Sequence, residues 1–257
     1  MLSKSKVNFI LSLQKKKERE KERLFVVEGD KIVKEFLAAK VRIRMLVAKP
    51  EFINSLGASQ KEYIGETEPA SFDELRKISS LKTPHNAIAV VTMPEYTMES
   101  DSLFRDLTVA LDSVQDPGNL GTIVRAASWF GIKDIVCSIS CVDVFNPKVI
   151  QSTMGAILNV RVHYCDLEEI LNEASGKGVP VFGALLEGES IYAHGLGSEG
   201  IILLGNESKG ISEDLIPFIS EKIMIPKFTK ASSGIESLNV GMAASVIFSE
   251  FARRKGS

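Results

Sequence analysis

The chain has 257 residues, 44% hydrophobic and 25% charged, with 19 Gly and 9 Pro. That suffices for one large domain or two ordinary ones, and it excludes a collagen-like, disordered or disulfide-stapled chain. The formal net charge of −2 hides an asymmetry: residues 1–49 hold 14 Lys and Arg against 6 Asp and Glu, and the remainder holds 17 against 27. Such a split reads either as an electropositive part that meets a polyanion or as a solvated, mixed-charge helix. No apolar run reaches membrane-spanning length. Residues 1–6 lead into mixed charge rather than an apolar secretory segment, so a cytoplasmic chain is expected.

Residues 7–23 read as one amphipathic helix, with Val7, Ile10, Leu11 and Leu13 as a short apolar stripe ahead of the charged turns. A strand over 24–29, a helix over 31–39 and a strand over 43–48 stopped by Pro50 continue an α/β alternation, which runs through short elements to a strand at 87–91. Residues 96–105 are polar and patternless and read as a linker between a small domain, 1–95, and a larger one, 106–257. In the larger domain strands fit 107–111, 134–138, 158–163, 179–185, 200–204 and 222–225. Helices fit 119–130, 147–155, 167–175, 212–219 and 237–254. Asn146 ahead of Pro147, and Asp166 ahead of Glu169, mark helix starts. Strands alternating with helices predict a parallel sheet covered on both faces.

Cys137, Cys141 and Cys165 form no C-x-x-C pair and sit among apolar strand residues, which reads as buried reduced thiols. His85, His163 and His194 have no metal-motif partner at helical spacing, so no metal is expected. Two glycine motifs fail. Residues 195–200 have dinucleotide-fingerprint spacing but precede a strand, and residues 205–210 have P-loop glycine spacing with Ile211 where lysine is required.

Three segments concentrate Gly, Asn, Ser and single charges directly after apolar strands, where α/β sheets place their ligands. In residues 111–127, Asp116-Pro117-Gly118 makes a turn, with Asn119 and Arg125 on the following helix; the small apolar residues around Arg125 argue against its full exposure. Residues 201–212 carry Glu207 after a buried strand, with Ser212 placed to cap the next helix. Ile225-Pro226 and then residues 232–244 form a polar loop feeding an apolar helix.

In order and content these segments resemble the three signature motifs of the SpoU (TrmH-like) RNA 2′-O-ribose methyltransferases, within the SPOUT superfamily. Asn119 with Arg125, residues 204–211, and Ile225-Pro226 with Ser237-Leu238-Asn239-Val240 carry the match across about 106–254. Residues 25–29 and 87–89 give the N-terminal part a looser likeness to a ribosomal-protein L30-like substrate-binding fold. Departures are small. Asn206 and Ser208 flank Glu207 where the family favours a small residue and glycine, Thr153 stands where serine is common, and the loop from Pro226 to Ser237 is slightly long.

The resemblance implies a SPOUT-type parallel sheet ending in a trefoil knot, S-adenosylmethionine as cofactor, RNA as partner, ribosomal RNA ahead of transfer RNA, and a homodimer built through the knot. A silent RNA-binding assembly factor with the same fold is the alternative from another class. By the same resemblance Gly205, Asn206, Ile225, Leu238 and Leu185 hold the cofactor, and Asn119, Arg125, Glu207, Ser237 and Asn239 form the catalytic and RNA-positioning set. Arg125 would activate the ribose hydroxyl, clamp an adjacent phosphate or stabilise the developing oxyanion, the last two suiting a group that is effectively always protonated. Lys15, Lys16, Lys17, Arg19, Lys21 and Arg23 would track phosphates.

Overall fold

The computed structural model describes residues 2–193, 195–229 and 237–255. His194 and residues 232–236 of the third segment lie outside them. Contacts divide the chain into two compact units, residues 1–95 with 143–158, and residues 96–142 with 159–257. Segment 143–158, read from sequence as part of the larger domain, thus clusters with the N-terminal residues.

The first unit is built on strands β1 (Leu24–Glu28), β2 (Ile43–Ala48), β3 (Ile64–Pro69) and β4 (Ala87–Thr92), in the order β1-β4-β2-β3. Strand β4 is antiparallel to both of its neighbours, and β2 is parallel to β3. Helices α1 (Lys4–Ser12), α2 (Lys16–Glu22), α3 (Asp30–Ala38), α4 (Pro50–Asn54), α5 (Ala58–Lys61) and α6 (Phe72–Ile78) accompany it. Side chains alternate across a strand, so β1 serves two cores. Leu24 and Val26 join Ile10, Leu13, Leu75 and Ile78 on one face. Phe25 turns to the other, 6.1 Å from the Phe36 ring of α3 and 4.8 Å from that of Phe145.

The helix expected over 7–23 is two. The apolar stripe ends at Leu13, and Arg19 Nη1 donates to the carbonyls of Leu13 and Gln14 at 2.9 and 2.8 Å, satisfying them where the helix breaks.

The second unit holds β5 (Leu107–Leu111), β6 (Asp134–Ser138), β7 (Arg161–Cys165), β8 (Val181–Ser190), β9 (Gly200–Leu204) and β10 (Glu221–Met224). Among the described residues they form a six-stranded, wholly parallel sheet in the order β10-β8-β9-β5-β6-β7. Helices α7 (Ser100–Leu103), α8 (Pro117–Trp129), α10 (Leu167–Gly176) and α11 (Val240–Lys255) belong to it, while α9 (Pro147–Thr153) lies in the first unit. Leu167, Ile170, Leu171 and Ala174 of α10 pack on Ala110, Val136, Val181 and Leu203. On the opposite face Phe251 of α11 meets Phe182 edge-on at 5.0 Å.

Several boundaries differ from expectation. Residues 156–158 make a 3-10 turn, so β7 starts at Arg161. Residues 213–218 are 3-10 rather than α, with Pro217 inside, and the Ser212 hydroxyl bonds Asp112 instead of capping. Met154 closes α9 in the left-handed region, φ 52°. Within 96–105, Ser100–Leu103 is helical and Leu103 is buried in the core. The β8–β10 register jumps from Gly183 opposite Lys222 to Glu189 opposite Ile223, so residues 184–188 leave the ladder.

Candidate active site

At the carboxyl edge of the parallel sheet β5 and β9 end together, and the Asp112 amide donates to the Leu204 carbonyl at 2.9 Å. Asp112 is buried, and its carboxylate accepts from the Ser212 amide at 2.7 Å, the Ser212 hydroxyl at 2.6 Å and the Ser113 hydroxyl at 2.9 Å. One carboxylate thereby ties the loop after β5 to the end of the loop after β9. Asp112 was given no role in the sequence reading; a lone acidic residue closing a strand was the available signal.

Asp116 then caps α8, accepting from the Asn119 amide at 2.8 Å, and Pro117 takes the first helical position. This places Asn119 in the first turn, where its Nδ2 donates to Glu207 Oε1 at 2.9 Å. A carboxylate can only accept here, so Asn119 presents its oxygen the other way, to Asn239 Nδ2 at 2.8 Å. Asn239 in turn caps α11, its Oδ1 accepting from the amides of Gly241 and Met242 at 3.0 and 3.2 Å. Three segments remote in sequence are thus joined through Glu207, Asn119 and Asn239.

The loop after β9 is shaped by its own asparagine. Asn206 pairs with Gly210 through both backbone groups, and its Oδ1 accepts from the amides of Ser208 and Lys209. Its Nδ2 donates to the Ser113 carbonyl at 2.7 Å and to Glu207 Oε2 at 3.3 Å. Aspartate could supply the acceptor but not the donor, which accounts for an amide beside Glu207. The turn is tight: a Cβ on Gly205 would stand 2.2 Å from the Gly210 carbonyl carbon. Gly205→Ala is expected to open this turn at a cost of about 1–3 kcal/mol, read by thermal unfolding; an unchanged melting temperature would show that the turn's closeness is immaterial.

These loops enclose a cleft of about 920 Å³ lined by Gln115, Asp116, Asn119, Asn206, Glu207, Lys209 and Asn239 among others. Burial is the largest influence on Glu207 and opposes its charge. Hydrogen bonds from the Asn119 side chain and from the amides of Glu207, Asp116 and Gln115 together outweigh it and hold the carboxyl below its ordinary range. A lowered folded-state value means that this carboxylate's stabilisation is complete above the ordinary glutamate range and is lost only as pH falls through the lower folded value. Stability is therefore expected to keep the Glu207 contribution down through the ordinary glutamate range; a loss of stability centred at about 4.3 or higher that vanishes in Glu207→Gln would refute this.

Of the other expected residues, Gly205, Leu185 and Ile225 are half-buried at the ends or excursion of β9, β8 and β10, and Ser237 and Leu238 are exposed just ahead of α11. None of them lines the cleft. Arg125 also stands outside it and, against expectation, is exposed. Six residues of helix rotate it about 120° away from Asn119. Its apolar neighbours Ile123, Val124 and Ala127 turn into the core, which leaves Arg125 on the outer face with Trp129.

In the first unit Lys15, Lys16, Lys17, Lys21 and Arg23 are exposed. Arg19 is not: it is 1% exposed, with Nε and Nη2 on Asp143 and Nη1 on two carbonyls. Its expected role as a phosphate contact is corrected, because its donors are consumed inside the protein. Among the described residues no cluster of His, Cys, Asp and Glu is placed to hold a metal ion, and no helix is long and apolar enough to cross a membrane.

Residues 106–249 match the SpoU rRNA Methylase family, and residues 4–89 match the MRM3-like substrate binding domain. The chain is 30% identical, over 91% of each protein, to the 23S rRNA (guanosine(2553)-2′-O)-methyltransferase RlmP of Bacillus subtilis. A solved structure from Porphyromonas gingivalis, assigned to the TrmH family of RNA methyltransferases, superposes with a TM-score of 0.88 at 37% identity, covering 99% of both chains. An AdoMet-bound rRNA methyltransferase from Sinorhizobium meliloti gives 0.85 at 26% identity over 99% of this chain and 97% of that one. With more than half of its length in the family match and its three motifs converging on one cleft, this chain belongs to the SpoU rRNA methylase family.

Proposed function

We infer that this protein transfers a methyl group from S-adenosylmethionine to a ribose 2′-hydroxyl of ribosomal RNA, acting in the cytoplasm. The observation that carries the reading is the junction of Glu207, Asn119 and Asn239, which brings the three family motifs to one cleft at the carboxyl edge of the sheet. The relatives named above carry that activity or that cofactor in their own descriptions.

What supports the cofactor is a cleft within the roughly 300–1,000 Å³ of small-molecule sites and a Gly205–Gly210 turn that presents backbone too close for a side chain; Leu185 in β8, Ile225 after β10 and Leu238 ahead of α11 are the apolar residues of the expected set, though they do not line that cleft. Gly205, Asn206, Leu185, Ile225 and Leu238 would hold it, with the C-terminal segment threaded into a trefoil knot. When bound it supplies an electrophilic methyl on a sulfonium. The chain's own work is to hold the 2′-oxygen in line and ease the loss of its proton. Asn119, Ser237 and Asn239 orient the ribose and the loops, and Glu207 fixes Asn119. Arg125 stays protonated and binds the neighbouring phosphate or the developing oxyanion.

Because Arg125 does not line its own chain's cleft, we place it at the site of a second copy in a homodimer formed through the knot region. Supporting this, Trp129 is 84% exposed on α8, and Met242 61% on α11. Residues 1–95, joined by 143–158, serve as the RNA-binding module, 96–105 as the connection and the remainder of 106–257 as the methyltransferase domain.

The test is transfer from labelled S-adenosylmethionine to large-subunit ribosomal RNA lacking the modification, followed by nucleoside mass spectrometry. A 2′-O-methylated nucleoside supports the reading. A base-methylated product, transfer confined to tRNA, or cofactor binding without product would each replace it.

A further inference from the structure

Strand register in the first unit aligns one end of the sheet. Glu28 lies opposite Ile88, Ala48 opposite Ala87, and Pro69 opposite Ala48. The residues that follow β1, β2 and β3, and those that precede β4, therefore share this end. The lysine run at 15–23 precedes β1 and so belongs to the opposite end, where Leu24 lies opposite Thr92.

The shared end carries a loop, residues 79–86, held with unusual investment. Glu28 is 5% exposed, and its carboxylate accepts from the Ser79 hydroxyl and from the amide and hydroxyl of Ser80. Asp30 accepts from the amide and the side chain of Asn86 at 3.0 and 2.8 Å, and the Asn86 carbonyl takes the Lys49 amide at 2.8 Å. Burying a carboxylate is costly unless its partners are well placed. Two carboxylates spent on one surface loop fix its shape, and that loop presents Lys82 and His85 to solvent. Beside it half-buried Lys49 holds its Nζ 5.6 Å from the centre of the Phe72 ring, which is 43% exposed, and Lys31, at the start of α3 with 81% of its side chain exposed, lies 3.9 Å from Glu35.

Cations interleaved with exposed rings are a combination that binds unpaired RNA, cations on phosphate and rings on bases, and Lys31 and Lys82 are exposed while Lys49 is half-buried. At the opposite end Glu18, Glu20 and Glu22 interrupt the run and Arg19 is buried; pairing itself does not separate the two ends, since Lys16 and Lys21 lie 3.7 and 3.2 Å from Glu20 and Glu22 much as Lys31 lies by Glu35. We propose that the end of the N-terminal sheet bearing Lys31, Lys49, Lys82, Phe72 and His85 is the surface on which this protein grips single-stranded segments of its RNA substrate. The proposal rests on the reading of the chain as an RNA methyltransferase and adds where the RNA lies.

The test compares the full chain with Lys49→Ala/Lys82→Ala, Phe72→Ala/His85→Ala and, at the other end, Lys15→Ala/Lys16→Ala/Lys17→Ala, with circular dichroism to confirm folding. Filter binding uses protein-free large-subunit ribosomal RNA and a single-stranded 20-nucleotide RNA across a salt series. The first variant is expected to lower the salt slope by about 0.7 per lysine, and the second to lose at least about fivefold in affinity with the slope unchanged. Lys49→Arg/Lys82→Arg should restore the slope, and the triple variant should bind within about twofold of the unaltered protein. Wild-type affinity in the first two variants, or a larger loss in the triple variant, overturns the proposal while leaving the methyltransferase reading intact. If the unaltered chain binds no RNA, both fall.

Discussion

Arg125→Ala is expected to lower kcat for methyl transfer at least about a hundredfold and to leave the melting temperature and cofactor affinity unchanged. Stability is spared because the side chain is exposed and supports no core contact that folding would miss, and activity falls if, lining no part of its own cleft, it serves the site of a second copy. A sharper form of the experiment mixes Arg125→Ala with Glu207→Ala chains under conditions that exchange subunits. If Arg125 acts on the site of a second copy, each mixed dimer contains one site with both groups intact, and about a quarter of the sites recover at random pairing. Transfer that stays absent on mixing, with exchange verified by mass spectrometry, would place Arg125 in its own chain's reaction and remove the argument for a shared site.

The largest stability effect is expected at Arg19. Removing one member of a buried, hydrogen-bonded ion pair costs about 3–5 kcal/mol, because the other is left uncompensated. Arg19→Ala would also strand the carbonyls of Leu13 and Gln14. At about 2–4 °C per kcal/mol for a chain of this size, the melting temperature should fall by 6 °C or more. Replacing both partners, Arg19→Met with Asp143→Leu, should recover most of that loss, since apolar pairs often substitute for buried ion pairs. The recovered double variant should bind RNA as tightly as the unaltered protein. A double variant that is stable yet loses RNA affinity would return Arg19 to the phosphate contacts from which its burial removes it.

Much of this protein is readable from local pattern. Strands 107–111, 134–138 and 200–204 fall where continuous apolar runs bounded by turn residues predict them, because a strand buried on both faces has little choice of residue type. The three motifs were legible because each breaks such a pattern with glycine, asparagine and single charges. What escaped depends on distant partners. Arg19 resembles every other cation of its run until Asp143, 124 residues away, accepts its hydrogen bonds. Asp112 looks like any acidic residue closing a strand until Ser212 folds back onto it. The exposure of Arg125 was misjudged for a simpler reason: neighbours in sequence are not neighbours on a helix, and its apolar flanks point elsewhere.

Segment 143–158 bears on how such a protein can be divided. It leaves the chain between β6 and β7, yet clusters with the N-terminal residues, so the polypeptide passes from one unit to the other three times. A gene cut once, near residue 100, would yield a C-terminal piece carrying Val149 and Ile150 without the unit in which they are buried, and an N-terminal piece whose Phe25 has lost Phe145. Exposed apolar segments of that kind promote self-association. Shuffling this module onto another partner therefore requires that α9 and its flanking turns travel with the first 95 residues or be rewritten. The unit of inheritance and the unit of packing do not coincide.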